Sequence, residues 1–315
     1  MRGSGEAAVL RTCKLIVWDE CTMSNKKAFE ALDRTMRDLR NDNRIMGGVF
    51  ILQSGDFRQT LPVISRATPA DELNACLKAS ELWQYVQRKS LTTNIRVSVL
   101  GDIPSENFTK QLLSLGDGKF PTKSASDLIS IPSDFCVSVP SLKELMRHVF
   151  LDISNKYKDH HFLCERAILA PKNENVAKIN EIILKKLPGN SITYKSVDDL
   201  MNKEQVVYYP TELLNSLNPP RISPHMLNLK VGSSIMLLRN LDPPKLCNGT
   251  KLCVSKLMVN VIQVTILTGC NKGESIFIPR IPLIQSDMSF VFKRLQFPVR
   301  LALAITINRA QEQSL

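Results

Sequence analysis

The sequence predicts an α/β protein built on parallel sheets, with a small β-barrel-like insertion in its second half. Three observations predict it. Short apolar runs end in polar loops and alternate with helical periodicity near the start. The same strand–helix pattern returns after Arg166, and a stretch of short β-type runs separates that unit from a final apolar strand.

Taken in order, Leu15-Ile16-Val17-Trp18 is an apolar run of the kind found in a buried parallel strand, and it delivers Asp19-Glu20 at its carboxyl end. Ser24 is placed to cap a helix in which Ala28, Phe29, Leu32, Met36 and Leu39 recur on one face. After the Gly47-Gly48 break, Val49 to Leu52 reads as a second strand running into Ser54-Gly55-Asp56. Residues 116–140 are rich in Gly, Pro, Ser and Asp and predict a loop-dominated connection. Ala167 to Ala170 is the next strand, Pro171 ends it, and Val176, Ile179 and Ile183 mark a helix face. Residues 205–285 change character: Ser234 to Leu238 and Val259 to Leu267 are β-type runs, and Asn248-Gly249 signals a turn. The segment from Val299 returns to an apolar strand, Leu301 to Ile305, followed by a polar loop.

Composition narrows the function classes. The chain has 315 residues, enough for about two domains. Hydrophobic residues make up 43% and charged residues 23%, which suits a globular protein with a sizeable core. No apolar run approaches the roughly 18 residues of a membrane span, and the first residues lack a signal peptide's apolar core. The eight cysteines form no C-x-x-C pair and read as reduced thiols. Neither they nor the four histidines have the spacing of a metal cluster, and His160-His161 reads as a solvated turn. Lys and Arg number 41 against 30 acidic residues, and the resulting charge of +11 favours a polyanionic partner.

Four segments carry candidate chemistry. An apolar strand ending in two carboxylates is how P-loop NTPases present their Walker B site. Asp19 would hold Mg²⁺ and Glu20 would orient the water that attacks the γ-phosphate of ATP. The same string also fits a strand ending in a solvated acidic turn. Gln59, in SGDFRQTLPV, is a candidate γ-phosphate sensor, while Asp56 and Arg58 suit either that site or a structural ion pair. Arg96, in SLTTNIRV, can neutralise charge on a transferring phosphate or simply be a surface charge. Thr306, Asn308, Arg309, Gln311 and Ser314 offer hydroxyl, amide and guanidinium groups suited to a sugar-phosphate backbone, or the start of a polar helix.

In this order the segments resemble the Pif-type (petite integration frequency) DNA helicases, superfamily-one motors, in the version carried by Helitron transposons. The strings are LIVWDECTM with NKKAFEALDRTMRDL, GDFRQTLPVI, LKASELW with LTTNIRV, LLSLGDGK, RAILAPKNENVAKINEIIL, LNLKVGSSIMLLRNLDPP with CNGTKL, FIPRIPLIQSD, and FKRLQFPVRLALAITINRAQEQSL. They span nearly the whole chain. The resemblance implies ATP-dependent unwinding with five-prime to three-prime movement on single-stranded and forked DNA, Mg²⁺ as cofactor, and roles in repair, recombination and telomere maintenance. It implies a nuclear compartment, or a mitochondrial one. By position, Asp19 and Glu20 match Walker B, Gln59 the γ-phosphate sensor and Arg96 a phosphate-contacting arginine. Thr306, Asn308 and Gln311 fall in a motif coupling DNA contact to the nucleotide.

The resemblance divides the chain into the carboxyl-terminal part of a first RecA-like domain (1–115), a connection (116–160), a partial second RecA-like domain (161–204 with 286–315) and the β-rich insertion (205–285). Some features depart from the family. The 315 residues contain no G-x-x-x-x-G-K-[ST] loop, and Gly3-Ser4-Gly5 is no substitute for one. Glu312 stands where the family has glycine, and LDPPKLCNG is one residue shorter than the family's version. These departures predict a truncated gene model or a decaying transposon copy, inactive as it stands. Its residual capacities would be single-strand binding without catalysis, or none.

Overall fold

The computed structural model describes the chain apart from residues 1–4, 65–66, 101–102, 123–127, 130, 134, 203, 205–206, 220–221, 286–289 and 311–315. It divides into two compact units, Met1–Ser138 and Val139–Leu315. No helix among the described residues is long and apolar enough to cross a membrane.

In the first unit, helix α1 (Gly5–Thr12) leads into strand β1 (Leu15–Trp18), helix α2 (Lys26–Arg40) and strand β2 (Phe50–Gln53). The two strands pair in parallel, Leu15 opposite Phe50 and Trp18 opposite Gln53, with α2 in the crossover between them. Strand β2 begins one residue later than the apolar run suggests. The cap of α2 also shifts by one residue: the Asn25 side chain, not that of Ser24, accepts from Lys27 N. Ser24 instead closes the short turn Cys21–Met23, its N–H bonding the Cys21 carbonyl.

The helix is tied to the turn before β2 by buried polar groups. Asp33 accepts the Met46 N–H at 2.6 Å and is bridged by Arg37, while Arg40 donates to the carbonyls of Gly47, Arg11 and Cys13. Gly47 lies so close under α2 that a Cβ would sit 2.6 Å from the Met36 carbonyl oxygen. Trp18 and Ile51 pack against Phe29, Met46 and Leu77. The opposite face of the pair leaves Leu15, Val17, Phe50 and Leu52 exposed. Helices α3 (Pro69–Ala75), α4 (Ile95–Leu100) and α5 (Ile103–Gly116) complete the unit. A capping box between Thr68 and Asp71 starts α3.

The second unit opens with three short helices, α6 (Leu142–Val149), α7 (Ile153–Lys156) and α8 (His160–Cys164), so His160-His161 starts a helix rather than a turn. Strand β3 (Ile168–Ala170) and helix α9 (Asn173–Lys186) follow. Strands β4 (Ile192–Lys195), β5 (Val197–Leu200), helix α10 (Thr211–Ser216), and strands β6 (Met226–Leu229), β7 (Ser234–Leu237), β8 (Lys251–Leu257), β9 (Val261–Ile266), β10 (Ser275–Pro279), β11 (Ile281–Gln285), β12 (Phe292–Gln296), β13 (Val299–Leu301) and β14 (Ala304–Thr306) lead to helix α11 (Ile307–Ala310).

The β-rich region forms an open antiparallel sheet, β10-β9-β8-β7-β13, rather than a closed barrel, and it recruits β13 from beyond residue 285. Beside it lie a three-stranded sheet, β11-β12-β5, and the pair β4-β6. The run Leu301–Ile305 is not one strand. Ala302 N bonds the Ser234 carbonyl on the antiparallel sheet, whereas the Leu303 carbonyl accepts from Ile168 N. The chain thus leaves one sheet and enters the parallel pair β14-β3 within two residues. Val176, Ile179 and Ile183 of α9 pack into the core with Ile168 and Ala304, as their spacing predicts.

Candidate functional site

The carboxyl ends of β1 and β2 are locked together by main-chain bonds, Ser54 N to Trp18 O at 3.0 Å and Cys21 N to Ser54 O at 2.9 Å. This lock sets Asp19 beside Ser54. The Ser54 hydroxyl donates to Asp19 Oδ1, and the Glu20 N–H donates to the same oxygen at 3.0 Å. Those two donors, the hydroxyl foremost, hold the Asp19 carboxyl below the usual carboxylate range. The carboxylate is solvent-exposed, with Oδ1 committed to the protein, an arrangement that offers Oδ2 as a hard, ionised ligand.

Glu20 takes the left-handed conformation, φ 48° and ψ 36°, uncommon for a residue with a side chain and concentrated at functional turns. Its Oε2 is buried with no hydrogen-bond partner. Thr22 Oγ1 and Gln53 Nε2, at the same strand ends, share that condition. Half of the six such atoms among the described residues therefore gather here, where an incoming polar ligand or ordered water would satisfy them. Gly55 closes the floor: a Cβ there would lie 2.8 Å from Thr22 Cγ2 and 2.9 Å from Oγ1. No three His, Cys, Asp or Glu among the described residues gather as a metal cluster. A single exposed carboxylate fits Mg²⁺, which binds through one or two carboxylates together with substrate phosphates and water.

Gln59 lies exposed in the loop that follows Ser54, its N–H bonded to the Asp56 carbonyl. Arg58 forms its short ion pair with Asp117 at 2.6 Å, and Asp56 lies farther off at 3.7 Å. Arg96 falls in α4, and its side chain lies outside the described residues. In the second unit, Thr306 is buried at the end of β14, while Asn308 and Arg309 are half-buried in α11. Gln311, Glu312 and Ser314 lie outside the described residues. Asn180 of α9 holds this segment in place. Its amide donates to the Ala304 carbonyl and accepts the Ala304 N–H, both at 2.8 Å. Ser54, Asn180 and Asp117 were not among the residues singled out for chemistry, because their roles arise from partners 35, 124 and 59 residues away.

Comparison with known proteins finds one family repeatedly. The PIF1-like helicase family model matches residues 1–126, and that of the DNA helicase Pif1 2B domain matches residues 212–257. Over these two segments the chain resembles the PIF1-like helicases. ATP-dependent DNA helicase PIF1 of Xenopus laevis is 24% identical over 308 residues, covering 96% of this chain and 42% of that protein. The Homo sapiens PIF1 is 24% identical over 307 residues, with 96% and 41% covered. The Pif1 helicase structure from Candida albicans superposes with a TM-score of 0.67 at 21% identity, spanning all of this chain and 68% of that one. The Bacteroides Pif1 complex with ADP-AlF3 and ssDNA gives 0.60 at 21% identity, over 98% and 64%. The α/β fold is thus that of the Pif1 helicases. The chain spans about two fifths of the length of these curated relatives.

Proposed function

We propose that this PIF1-like chain supplies the metal-holding and water-orienting part of the nucleotide site of an ATP-dependent, five-prime to three-prime DNA helicase. The observation that carries this reading is the Asp19–Glu20 turn: one carboxylate ionised and oriented by Ser54, the next with a buried, unpartnered oxygen. Mg²⁺, when bound, would neutralise charge on the transferring phosphate. Asp19 would hold that ion, and Glu20 would accept a hydrogen bond from the attacking water and orient it. Gln59 donates to the γ-phosphate, and Arg96 adds a guanidinium to its charge. Thr306, Asn308, Arg309 and Gln311 contact the single strand, with forked DNA as the unwinding substrate. The domain division stated from sequence is retained for this reading, as are a nuclear or mitochondrial setting, a Helitron origin, and service in repair, recombination and telomere maintenance.

The test uses the 315 residues alone and joined behind a phosphate-binding segment from a Pif1 relative. The chain alone, which carries no G-x-x-x-x-G-K-[ST] string, is expected to bind ATP very weakly and to unwind nothing. The joined form should hydrolyse ATP in the presence of Mg²⁺, and Glu20→Gln should lower kcat by about 100-fold or more. Hydrolysis that survives Glu20→Gln overturns the assignment, and tight Mg²⁺-dependent hydrolysis by the chain alone overturns the dependence on an added loop. The charge of +11 favours a second reading, single-strand binding without catalysis. Under it, affinity for an oligonucleotide falls steeply with salt and is indifferent to ATP in both forms.

A further inference from the structure

The loop carrying Gln59 is fastened residue by residue to distant parts of the first unit. Asp56 Oδ1 accepts the Arg58 N–H at 3.0 Å, and its carbonyl accepts the Gln59 N–H at 3.1 Å, folding a tight turn. The Phe57 ring meets Trp83 edge-on at 5.6 Å, with Lys78 Nζ 4.1 Å from its centroid. Arg58 reaches in another direction, its Nε donating to Asp117 Oδ1 at 2.6 Å.

Asp117 is itself well held. It follows the last residue of α5, its N–H bonds the Leu113 carbonyl at 2.8 Å, and Lys119 N bonds the Ser114 carbonyl at 2.9 Å. Lys119 Nζ bridges the second carboxylate oxygen at 3.1 Å. Gly116 makes room for the contact: a Cβ there would stand 2.9 Å from Arg58 Cδ and 3.0 Å from Arg58 Cβ.

We propose that Gly116 and Asp117, in the Gly-Asp-Gly-Lys string, are positioning residues for Gln59. They hold Arg58 so that the next side chain stays at the carboxyl end of β2, where a γ-phosphate would be read. The inference rests on the reading of Gln59 as the sensor. The pair is partly exposed, so its loss should loosen the loop without unfolding the unit.

The experiment is amide hydrogen exchange on the 315-residue chain, with denaturant midpoints measured alongside. Asp117→Asn and Gly116→Ala should speed exchange of the amides of residues 57–61 by about three- to tenfold, with β1, β2 and α2 unchanged. Asp117→Glu should restore protection. Unchanged exchange in Asp117→Asn, or an increase spread evenly over the unit, overturns the proposal. The same measurement is repeated on the form joined behind a phosphate-binding segment, with millimolar Mg²⁺ and either ADP or a slowly hydrolysed ATP analogue. The wild type should protect the loop more with the triphosphate, and Asp117→Asn should lose that difference. A difference that persists in Asp117→Asn overturns the positioning role. Its absence in the wild type removes the sensor reading of Gln59, on which the proposal rests, and leaves the exchange result to decide the tether alone.

Discussion

Arg294 has no exposed surface in the middle of β12, and its substitution probes how the second unit is held together. Its Nε lies 2.9 and 3.1 Å from the two oxygens of Asp198 on β5, and its Nη2 lies 2.6 Å from Oδ2. The guanidinium also donates to the carbonyls of Leu214 at 2.8 Å, Leu217 at 3.1 Å and Ser223 at 3.1 Å. One side chain therefore joins two strands to the end of α10 and the chain beyond it. Arg294→Met keeps the volume but strands a buried carboxylate, a loss of about 3–5 kcal/mol where one member of a buried pair is removed. Three carbonyls lose their donor as well, so pairing this change with Asp198→Leu should not recover stability. Asp198→Asn is milder, about 1.5–3 kcal/mol, because an amide oxygen still accepts from Arg294 and the carbonyl bonds remain. The assay is denaturant unfolding followed by hydrogen exchange in β5, β12 and α10, which reports on this unit separately from the first. Equal losses for the two single variants, or full recovery in the double variant, would refute the view that the arginine is the hub.

Gly55→Ala pushes a methyl against Thr22 at 2.8 Å, so about 1–3 kcal/mol of local destabilisation is expected, seen as faster exchange at Cys21 and Ser54. Asn180→Ala removes both partners of Ala304's main chain in a buried site and should cost about 2–4 kcal/mol by chemical denaturation, with α11 losing protection first. Lys251 is buried with its ammonium 3.4 Å from the Cys164 carbonyl, and burial lowers its pKa. A lysine whose folded pKa is depressed costs stability while charged and stops doing so as pH rises through the lysine range. Lys251→Met should therefore stabilise the unit near neutral pH, by about 1–3 kcal/mol, with the gain shrinking toward alkaline pH. A gain independent of pH would count against charge burial as the cause.

What the sequence discloses follows the range of the physics. The α2 face with Phe29 and Met36 is encoded by neighbours within a few residues and lies where that periodicity predicts. The strand ending in Asp19-Glu20 pairs in parallel as expected but is not buried, Leu15 and Val17 remaining exposed on one face. The cap of α2 was displaced by one residue, because the turn Cys21–Met23 consumed Ser24 first. The break within Leu301–Ile305 was hidden because an apolar run records burial but not which sheet supplies the hydrogen bonds. Nothing in the sequence marks Arg294 and Lys251 as buried, since a charge is recognised as buried only when its distant acceptors are known.

The candidate site divides along the same line. Asp19, Glu20 and Gln59 were visible as residue types at strand ends, yet what makes them useful is supplied from elsewhere in the chain. Ser54 fixes the carboxylate that would hold the metal, and Gly55 permits the turn. Phe57 and Arg58 lead outward to Trp83 and Asp117, so strings with no chemistry of their own hold the one residue expected to have it. This division follows from pre-organisation. A catalytic side chain must be correct in type, which a motif records. It must also be held to within a fraction of an ångström, which depends on residues whose type matters only through what they touch. In this chain the holding residues lie 35 and 59 positions from the groups they fix, and substitutions there test the site without altering any atom that would touch a nucleotide.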